Sequence, residues 1–316
     1  MEQELTLAAA WPWTALAVAL VAAGLLTPLS KGLGPRMGAM DRPSELSLHS
    51  RPIPRTGGLA MFIAFWLAVG CALAVSGWPD SPLQVMGLAV GSAIMLTTGL
   101  VDDIRKMPPW ARLLLQIVAA VAAIGLGLRV GVVPALAALP LTAFYLVGGA
   151  NAMNLMDGMN GLAAGICALA ALAFFALSVI QGNGLGMALS LALLGSSLGF
   201  LYHNFRRETD VFMGDSGSLF LGFMLASIAV VLTSKPYDLA WFLAPLLVLG
   251  LLILDTFWAI TRRLVRRSSV MIGDRSHLYD RLMKEGLSPT RTVLVCYLGE
   301  GLLCALALIL VETSRL

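Results

Sequence analysis

Long apolar runs separated by short polar segments dominate the pattern of this chain. A helix needs about 20 mainly apolar residues to cross the hydrocarbon core of a bilayer. Ten stretches qualify: 6–27, 57–77, 83–101, 112–128, 132–148, 158–180, 184–203, 216–233, 239–261 and 291–312. Runs such as 164–180 lack the alternation that a lipid-facing β-strand requires. The pattern therefore predicts an all-α polytopic membrane protein with about ten transmembrane helices, and residues 1–316 as a single integral-membrane domain.

Composition and charge support this prediction and add an orientation. Hydrophobic residues make up 58% of the chain and charged residues 12%, which excludes an ordinary water-soluble domain. With the amino terminus placed outside, 18 of the 21 lysines and arginines fall in the inner loops. Basic residues accumulate on the cytoplasmic side of membrane proteins. We therefore expect both termini to be periplasmic and the inner loops to be cytoplasmic.

The inner loops also contain most of the unusual polar residues, so we expect the active site there. The segment GLVDDIRK places Asp102 and Asp103 at the end of an apolar run. A charge in hydrocarbon costs about 2.5–3.5 kcal/mol on insertion scales, so a carboxylate pair beside a span indicates a function. Pro108 and Pro109 predict that the helix ends nearby. One carboxylate is then a candidate metal ligand and the other a candidate base. The alternative, a solvated helix end, is less favourable because a helix carboxyl terminus disfavours negative charge.

The first inner loop reads LHSRPIPRTGGLA and contains Arg51 and Arg55. Its prolines favour an extended backbone, and the two glycines permit a tight turn into the second span. The arginines have two interpretations, contact with an anionic substrate or attraction to anionic lipid.

The third inner loop reads NAMNLMDGMNGLAAG, in which Asn151, Asn154 and Asp157 recur every third residue. An amide both donates and accepts hydrogen bonds, which suits recognition of a sugar or a nucleobase. The alternative is that these side chains hydrogen-bond neighbouring helices to each other.

The fourth inner loop ends in FMGDSGSLFLG, with Asp215 between glycines at the start of a span. A helix amino terminus attracts anions, and Gly217 would let a phosphate approach the backbone. Asp215 is also a good N-cap residue, which is the structural alternative. Asn204, at the start of this loop, is a further candidate for substrate binding.

The last inner loop contains His277 among charged residues, where a buried core histidine is not expected. Histidine can contact a phosphate or donate a proton, and Arg275 and Arg281 are candidate phosphate contacts. Two carboxylates lie inside spans: Asp255, which either organises the metal site or pairs with a neighbouring helix, and Glu300, for which the sequence offers no partner.

Taken together, RPxPRxGG, VDDxRK, NxxNxxDGxxG, FMGDSGS and the histidine-containing final loop resemble the polyprenyl-phosphate N-acetylhexosamine-1-phosphate transferases, the bacterial glycosyltransferase family 4. The resemblance covers roughly residues 40–290, with the motifs in the same order and spacing. Within the family, RSHLY is similar to the undecaprenyl-phosphate branch that initiates O-antigen synthesis.

This resemblance implies an enzyme of ten or eleven spans in the bacterial cytoplasmic (inner) membrane. Such an enzyme moves a sugar 1-phosphate from a UDP-N-acetylhexosamine to undecaprenyl phosphate, releases UMP and uses Mg²⁺ or Mn²⁺. The resemblance also implies contact with membrane lipids and no nucleic-acid partner. It is compatible with a homodimer. Two mechanisms stay open: direct attack by the lipid phosphate, or a covalent intermediate on an aspartate.

The family motifs assign roles by position. By motif position, the resemblance implies that Asp102 is the base for the lipid phosphate and that His277 lies in the loop beside the diphosphate. The candidate catalytic residues are Asp102, Asp103, Asp215 and His277. The candidate metal ligands are Asp103, Asp157 and Asp215. The candidate substrate-binding residues are Arg51, Arg55, Asn151, Asn154, Asp157, Asn204, Arg275 and Arg281.

The chain departs from the family pattern at two places. Asn160 stands where many bacterial relatives have aspartate, and the final motif keeps one histidine, which excludes a mechanism that needs a histidine pair. Two other functions fit parts of this pattern: a transporter of an anionic solute, and an intramembrane aspartyl protease. A transporter tends to bind its solute at the midplane between repeated halves, and no repeat is visible here. A protease would bury its aspartates deeper in the spans.

Overall fold

A computed structural model describes residues 2–43, 50–77, 81–131, 133–205, 209–233, 239–267 and 276–315. Helices account for nearly all of the regular structure in these ranges. The helices are α1 (Glu2–Ser30), α2 (Leu33–Met37), α3 (Gly57–Ser76), α4 (Pro82–Ile104), α5 (Pro109–Gly125), α6 (Ala135–Met156), α7 (Leu162–Gln181), α8 (Gly184–Asn204), α9 (Gly214–Leu232), α10 (Leu239–Val248), α11 (Gly250–Val265), α12 (Leu278–Lys284) and α13 (Pro289–Ser314). The prediction of an all-α polytopic membrane protein is confirmed.

Within the described ranges, eight helices are long and apolar enough to cross a membrane: α1, α3, α4, α6, α7, α8, α9 and α13. The predicted span 112–128 corresponds to α5, which is apolar but has only 17 residues. At 1.5 Å per residue, such a helix is a few ångströms shorter than a 30 Å hydrocarbon core.

The predicted straight span 239–261 is wrong in shape. It consists of α10 and α11, which meet at Leu249 with a bend of 73°. Pro245 in α10 has no N–H and clashes with the preceding turn, and Gly250 begins α11. Proline and glycine are common causes of sharp helix breaks.

The predicted span 132–148 ends too early, because α6 continues to Met156. Asn151 and Asn154 therefore lie in the last turns of a helix and not in a loop. Helix α6 extends into this polar sequence because both amides find hydrogen-bond partners on neighbouring helices. The three-residue spacing of these amides places them on one side of the helix.

Helix α9 forms the centre of the molecule. Almost all of it is buried, and it packs against α3, α4, α6, α7 and α8. Phe220 of α9 makes edge-to-face contacts with Phe62 and Phe65 of α3. Because α9 is surrounded, its amino-terminal end is held where several helix ends converge.

A short two-stranded antiparallel ribbon, which the all-α prediction did not include, precedes α3. Strand β1 (Met40–Asp41) pairs with β2 (Ile53–Pro54). The backbone N–H groups of Gly57 and Gly58 then donate to the carbonyls of Phe212 and Met213, each at 2.9 Å. These bonds attach the ribbon and the start of α3 to the segment that leads into α9.

Candidate active site

The site begins where the end of α4 lies against the start of α9. A side chain at Gly99 would overlap the backbone of Asp215 and Ser216, so only glycine permits this approach. Gly214 has a φ of +73°, and a side chain there would collide with the carboxylate of Asp103. These two glycines allow the last turn of α4 to meet the first turn of α9 in direct backbone contact.

Asp103 caps α9. Its Oδ1 accepts a hydrogen bond from the backbone N–H of Asp215 and its Oδ2 from that of Ser216, both at 3.0 Å. The Asp103 side chain is fully buried, and Arg55 Nη1 lies 3.7 Å from its Oδ1. The first N–H groups of a helix lack partners within the helix and carry positive charge, so a carboxylate stabilises them.

Asp215 does not act as the N-cap, which corrects one interpretation of the sequence. The N-cap residue is Met213, and Asp215 is the second residue of α9. Because Asp103 satisfies the first turn of α9, the Asp215 side chain is available for other contacts.

Asp102 and Asp215 share one cation. Lys106 Nζ lies 3.0 Å from Asp102 Oδ2 and 3.1 Å from Asp215 Oδ2. Asp102 Oδ1 accepts a hydrogen bond from the backbone N–H of Met107 at 2.7 Å, and Arg112 Nη1 lies 3.8 Å from Asp102 Oδ2. The lysine ammonium therefore contacts both carboxylates at once. We refer to Asp102, Lys106, Asn154 and Asp215 below as the shared-cation cluster.

Lys106 was not among the predicted site residues. Burial would lower its pKa, but the Asp215 and Asp102 carboxylates outweigh that effect and raise the pKa. The side chain therefore stays an ammonium at neutral pH. The sequence signal was available, because Lys106 follows Asp102 by four residues, a spacing at which acid and base meet on a helix.

Asn154 completes the shared-cation cluster. Its Nδ2 donates to Asp215 Oδ1 at 2.8 Å and to Ser218 Oγ at 2.9 Å. Each Asp215 oxygen thus has a separate partner, Asn154 for one and Lys106 for the other. The Asp215 side chain is still 20% exposed, so it is reachable from outside. The structure therefore brings together residues from the ends of α4 and α6 and the start of α9.

Asp157 directly follows α6 and is half-buried. Burial, with additional repulsion from Asp215 and Asp103, raises its pKa to about 8. Its carboxyl group makes no hydrogen bond or ion pair with any residue in the described ranges. A carboxyl group in this situation gains most from a cation placed beside it.

The two predicted arginines of the first inner loop already have acidic partners. Arg55 donates to Asp41 at 2.7 Å, and Arg51 donates to Asp210 at 2.6 Å. Burial would lower the pKa of Arg55, but Asp41 and Asp103 raise it. Arg55 therefore links the ribbon to the Asp103 cap, and Arg51 lies on a more exposed surface.

Two predicted substrate-binding amides mainly connect elements of the fold. Asn151 exchanges hydrogen bonds with the buried Gln116 of α5, the shorter at 2.6 Å. Asn204 accepts from the backbone N–H of Gly161 at 2.7 Å and donates to the carbonyl of Val211. For both residues, this geometry favours the structural alternative. Gln116 was missed because it lies in the apolar run that follows Arg112 in α5.

Gly217 does not leave space for a phosphate, contrary to the sequence interpretation. A Cβ added at Gly217 would overlap the Cα of Gly58 and the side chain of Met213. The space was expected because the sequence does not show that α3 packs there.

His277 is buried, with 4% of its surface exposed, although a buried histidine was not expected in this loop. Its Nδ1 lies 2.7 Å from Asp255 Oδ2, and Asp255 Oδ1 accepts from the N–H of Leu278 at 2.8 Å. Asp255 thus orients the ring and caps α12. Asp255 therefore pairs with a neighbouring element, which is one of the two alternatives that the sequence left open.

Helix α12 connects His277 to the end of α6. The ring of Tyr279 stacks on that of His277 with centroids 5.7 Å apart, and its hydroxyl reaches the carbonyl of Leu155 at 3.5 Å. Arg281 lies over the ring of Trp258 at 5.0 Å. The remaining predicted residue of this loop, Arg275, lies outside the described residues.

The chemistry of the oxygen ligands fits a hard divalent cation. Mg²⁺ usually binds one or two carboxylates and completes its coordination with water and substrate phosphates. Asp215 provides such an oxygen beside the Lys106 ammonium, and the Asp157 carboxyl group has no partner in the described ranges. In the described part of the chain, no three His, Cys, Asp or Glu side chains are arranged to hold a metal alone. The carboxylates present fit an ion that also takes oxygens from water and substrate. Both oxygens of Asp103, the third predicted ligand, accept backbone hydrogen bonds.

Comparison with known proteins identifies the family of the chain. The model of glycosyl transferase family 4 matches residues 85–233, which include the shared-cation cluster. A probable undecaprenyl-phosphate N-acetylglucosaminyl 1-phosphate transferase of Bacillus subtilis is 33% identical over 96% of this chain and 85% of its own length.

Two further relatives extend the comparison. A decaprenyl-phosphate N-acetylglucosaminephosphotransferase of Mycobacterium tuberculosis is 33% identical over 92% of this chain and 81% of its own length. A phospho-N-acetylmuramoyl-pentapeptide-transferase of Prochlorococcus marinus is 31% identical over 68% of this chain and 61% of its own length. All of these relatives are transferases, so the comparisons give no support to the transporter or protease alternatives. On these grounds the chain belongs to the polyprenyl-phosphate sugar-1-phosphate transferase superfamily.

Proposed function

We propose that this protein transfers an N-acetylhexosamine 1-phosphate from a UDP-sugar to undecaprenyl phosphate, releasing UMP. The observation that carries the proposal is the shared-cation cluster, in which Asp102 and Asp215 from two helices face one lysine ammonium. A polar cluster at converging ends of apolar helices suits a substrate pair of which one is a lipid and the other is water-soluble.

The reaction joins two phosphate groups that repel each other. An oxygen of the lipid phosphate attacks the β-phosphorus of the UDP-sugar, the bond between the two phosphates of UDP breaks, and UMP leaves with its electron pair. Phosphoryl transfer depends mainly on positioning and on neutralising charge. Lys106 and Arg112, which both face Asp102, supply positive charge on the protein side.

The proposed metal ion, Mg²⁺ or Mn²⁺, supplies further neutralisation of the diphosphate. Asp215 is its proposed protein ligand because the carboxylate is partly exposed and has one oxygen beside Lys106. Asp157, whose carboxyl group has no described partner, is the proposed additional ligand.

Asp102 is the proposed base. Its Oδ1 is fixed by the N–H of Met107, while its Oδ2 faces Lys106. In this position it can take a proton from the lipid phosphate and so strengthen the attacking oxygen. His277 is proposed to contact the diphosphate through Nε2, since Nδ1 is engaged by Asp255.

The donor sugar is proposed to be an N-acetylated hexosamine. Two of the relatives are named as transferases of N-acetylglucosamine phosphate, which makes UDP-N-acetylglucosamine the first donor to test. A deoxy-N-acetylhexosamine and a role in O-antigen initiation remain predictions from the RSHLY motif. Asn154, which donates to Asp215, is proposed to contact the donor as well.

The orientation is also a proposal. The basic residues favour a site on the cytoplasmic side of a bacterial inner membrane, where 18 of 21 lysines and arginines fall. The sugar nucleotide would then enter from the cytoplasm and the lipid from the bilayer.

The position of the transferred phosphorus tests the proposal. Purified protein is incubated with undecaprenyl phosphate, Mg²⁺ and UDP-N-acetylglucosamine labelled with ³²P at the β-phosphate. We expect the label in the extracted lipid and unlabelled UMP in the aqueous phase. Label retained as UDP would mean that the sugar alone is transferred, which would refute the proposed reaction. The Asp215→Asn protein, prepared in the same way, controls for a contaminating transferase.

A further inference from the structure

The turn between α6 and α7 carries Asp157, the proposed additional metal ligand. It consists of residues 157–161, because α6 ends at Met156 and α7 begins at Leu162. The backbone N–H of Asp157 has only a long hydrogen bond, 3.4 Å, to the carbonyl of Asn154. The turn is therefore held weakly by α6 at the end where Asp157 lies.

The other end of the turn is held from two sides at Gly161. Its backbone N–H donates to Asn204 Oδ1 at 2.7 Å, and its carbonyl accepts from the hydroxyl of Tyr297 at 2.6 Å. Gly161 has a φ of +80°, and an added Cβ would overlap the ring of Phe205, so this position requires glycine. Both backbone polar groups of Gly161 are thus bonded to side chains of two other helices, α8 and α13.

Tyr297 reaches the turn because α7 leaves space for its ring. Gly165 lies in the first turn of α7, and a Cβ added there would overlap the hydroxyl and the ring of Tyr297. Helices α7 and α13 pack against each other along this contact. The ring is therefore held by the packing of α13 on α7, and its hydroxyl meets the Gly161 carbonyl at a fixed position.

The same hydrogen bonds connect the turn to the segment that leads into α9. Asn204 Nδ2 donates to the carbonyl of Val211 at 3.1 Å. Asp215 follows Val211 by four residues. The two proposed metal ligands therefore lie on backbone segments that are connected through Gly161 and Asn204.

We propose that Tyr297 is a positioning residue that fixes this turn through the Gly161 carbonyl and thereby holds Asp157 in place as a metal ligand. The effect on metal binding rests on the proposed function, whereas the effect on the turn does not. Groups that hold a ligand from outside the coordination sphere contribute to metal affinity because they fix its position.

The test compares Tyr297→Phe, which removes only the hydroxyl, with Tyr145→Phe as the matched control. Tyr145 is a buried tyrosine of α6 whose hydroxyl has no hydrogen-bond partner among the described residues. Hydrogen–deuterium exchange followed by mass spectrometry measures the opening of the turn in protein without substrates.

Metal binding is measured on the same preparations. Equilibrium dialysis of Mn²⁺ with UDP-N-acetylglucosamine, in the absence of the lipid acceptor, gives the metal bound to the protein without turnover. Asp157→Asn is measured alongside as the variant that changes the proposed ligand itself.

We expect Tyr297→Phe to raise the exchange rate of peptides covering 158–162 about fivefold, the scale of one neutral hydrogen bond, with unchanged exchange in the rest of α7 and α13. It should weaken Mn²⁺ binding by a similar factor and raise the Mg²⁺ concentration for half-maximal turnover, while kcat at saturating Mg²⁺ stays within about threefold. Tyr145→Phe should match wild type in every readout. Asp157→Asn should weaken Mn²⁺ binding at least as much as Tyr297→Phe, without faster exchange.

Unchanged exchange in Tyr297→Phe would overturn the proposal, because the hydroxyl would then not hold the turn. Faster exchange with unchanged Mn²⁺ binding would also overturn it, since the metal would not depend on the turn, and so would unchanged Mn²⁺ binding in Asp157→Asn. A wild-type protein that binds no Mn²⁺ with the nucleotide sugar would refute the proposed function and, with it, the link to the metal. Faster exchange in Tyr297→Phe would still support the contact between Tyr297 and the turn in that case.

Discussion

Asp102 and Asp103 are neighbours in the sequence, lie on the same helix turn and are both buried, yet their carboxylates have different partners. Asp102 faces the Lys106 ammonium that it shares with Asp215. Asp103 is fully buried, and both its oxygens accept backbone N–H groups from α9. Consecutive helical residues diverge by about 100°, which is enough to place one side chain in the site and the other in the packing between helices.

The comparison separates carboxylates that accept hydrogen bonds from a helix amino terminus from one that faces other side chains. Asp103 and Asp255 both accept a backbone N–H from the first turn of another helix. Asp215 instead faces side chains and is partly exposed. These contacts make Asp215 a stronger candidate than Asp103 for the proposed chemistry.

The largest effect is expected at Asp215. Asp215→Asn should lower kcat by about three orders of magnitude, because loss of the charge of the proposed metal ligand removes several kcal/mol of transition-state stabilisation. Its thermal midpoint should stay within a few degrees of wild type, since Asp103 and not Asp215 caps α9. UMP release and a thermal unfolding scan measure the two quantities. A turnover within tenfold of wild type would remove Asp215 from the site.

Lys106 is expected to have the next largest effect. Lys106→Met leaves Asp102 and Asp215 side by side without their shared cation and should lower kcat/KM by about a hundredfold, the scale for loss of one preorganised charge. Arg105→Met is the matched control, because Arg105 is exposed and adjacent. Arg105→Met should stay within about threefold of wild type. Equal losses in the two variants would mean that general basicity of the segment matters, and not the shared contact.

Asp103 tests the other side of the comparison. Asp103→Ala should destabilise the protein by about 1–3 kcal/mol, because two buried N–H groups of α9 lose their acceptor. Asp103→Asn keeps one acceptor oxygen and should lose less. Denaturation in detergent measures the stability, with activity measured well below the unfolding temperature. An Asp103→Ala protein as stable as wild type but inactive would show that Asp103 takes part in chemistry.

The smallest effect is expected at Asn160, which is exposed after α6. Asn160→Asp introduces the aspartate that the family resemblance led us to expect at this position, and should change kcat/KM by less than about threefold. Titrations with the nucleotide sugar and with the metal measure the apparent affinity for each. Loss of activity would show that the amide itself is needed in the donor pocket.

Much of the fold was predictable from hydrophobic length. The ten apolar stretches correspond to helices or to the α10–α11 pair, since burial in a membrane demands long helices whatever their neighbours are. The convergence of Asp102, Asn154 and Asp215 was also predictable, because alternate spans return to the same side of the membrane.

The contacts within the site were not predictable in the same way. Whether Asp102 or Asp103 faces α9 depends on the rotation of α4, which the close approach at Gly99 sets. The burial of His277 depends on Asp255, 22 residues earlier in the chain. Pairings of this kind are a property of packing between distant segments, and one sequence contains no direct signal for them. Lys106 is different, because its spacing from Asp102 could have been used.

The most direct test of the account is UMP release by the purified protein with undecaprenyl phosphate, Mg²⁺ and UDP-N-acetylglucosamine, each omitted in turn, alongside a panel of other UDP-N-acetylsugars. The account predicts release that needs the lipid, the metal and one of the nucleotide sugars, and that falls with Asp215→Asn. No release from any sugar, or release that continues without the lipid, would contradict it.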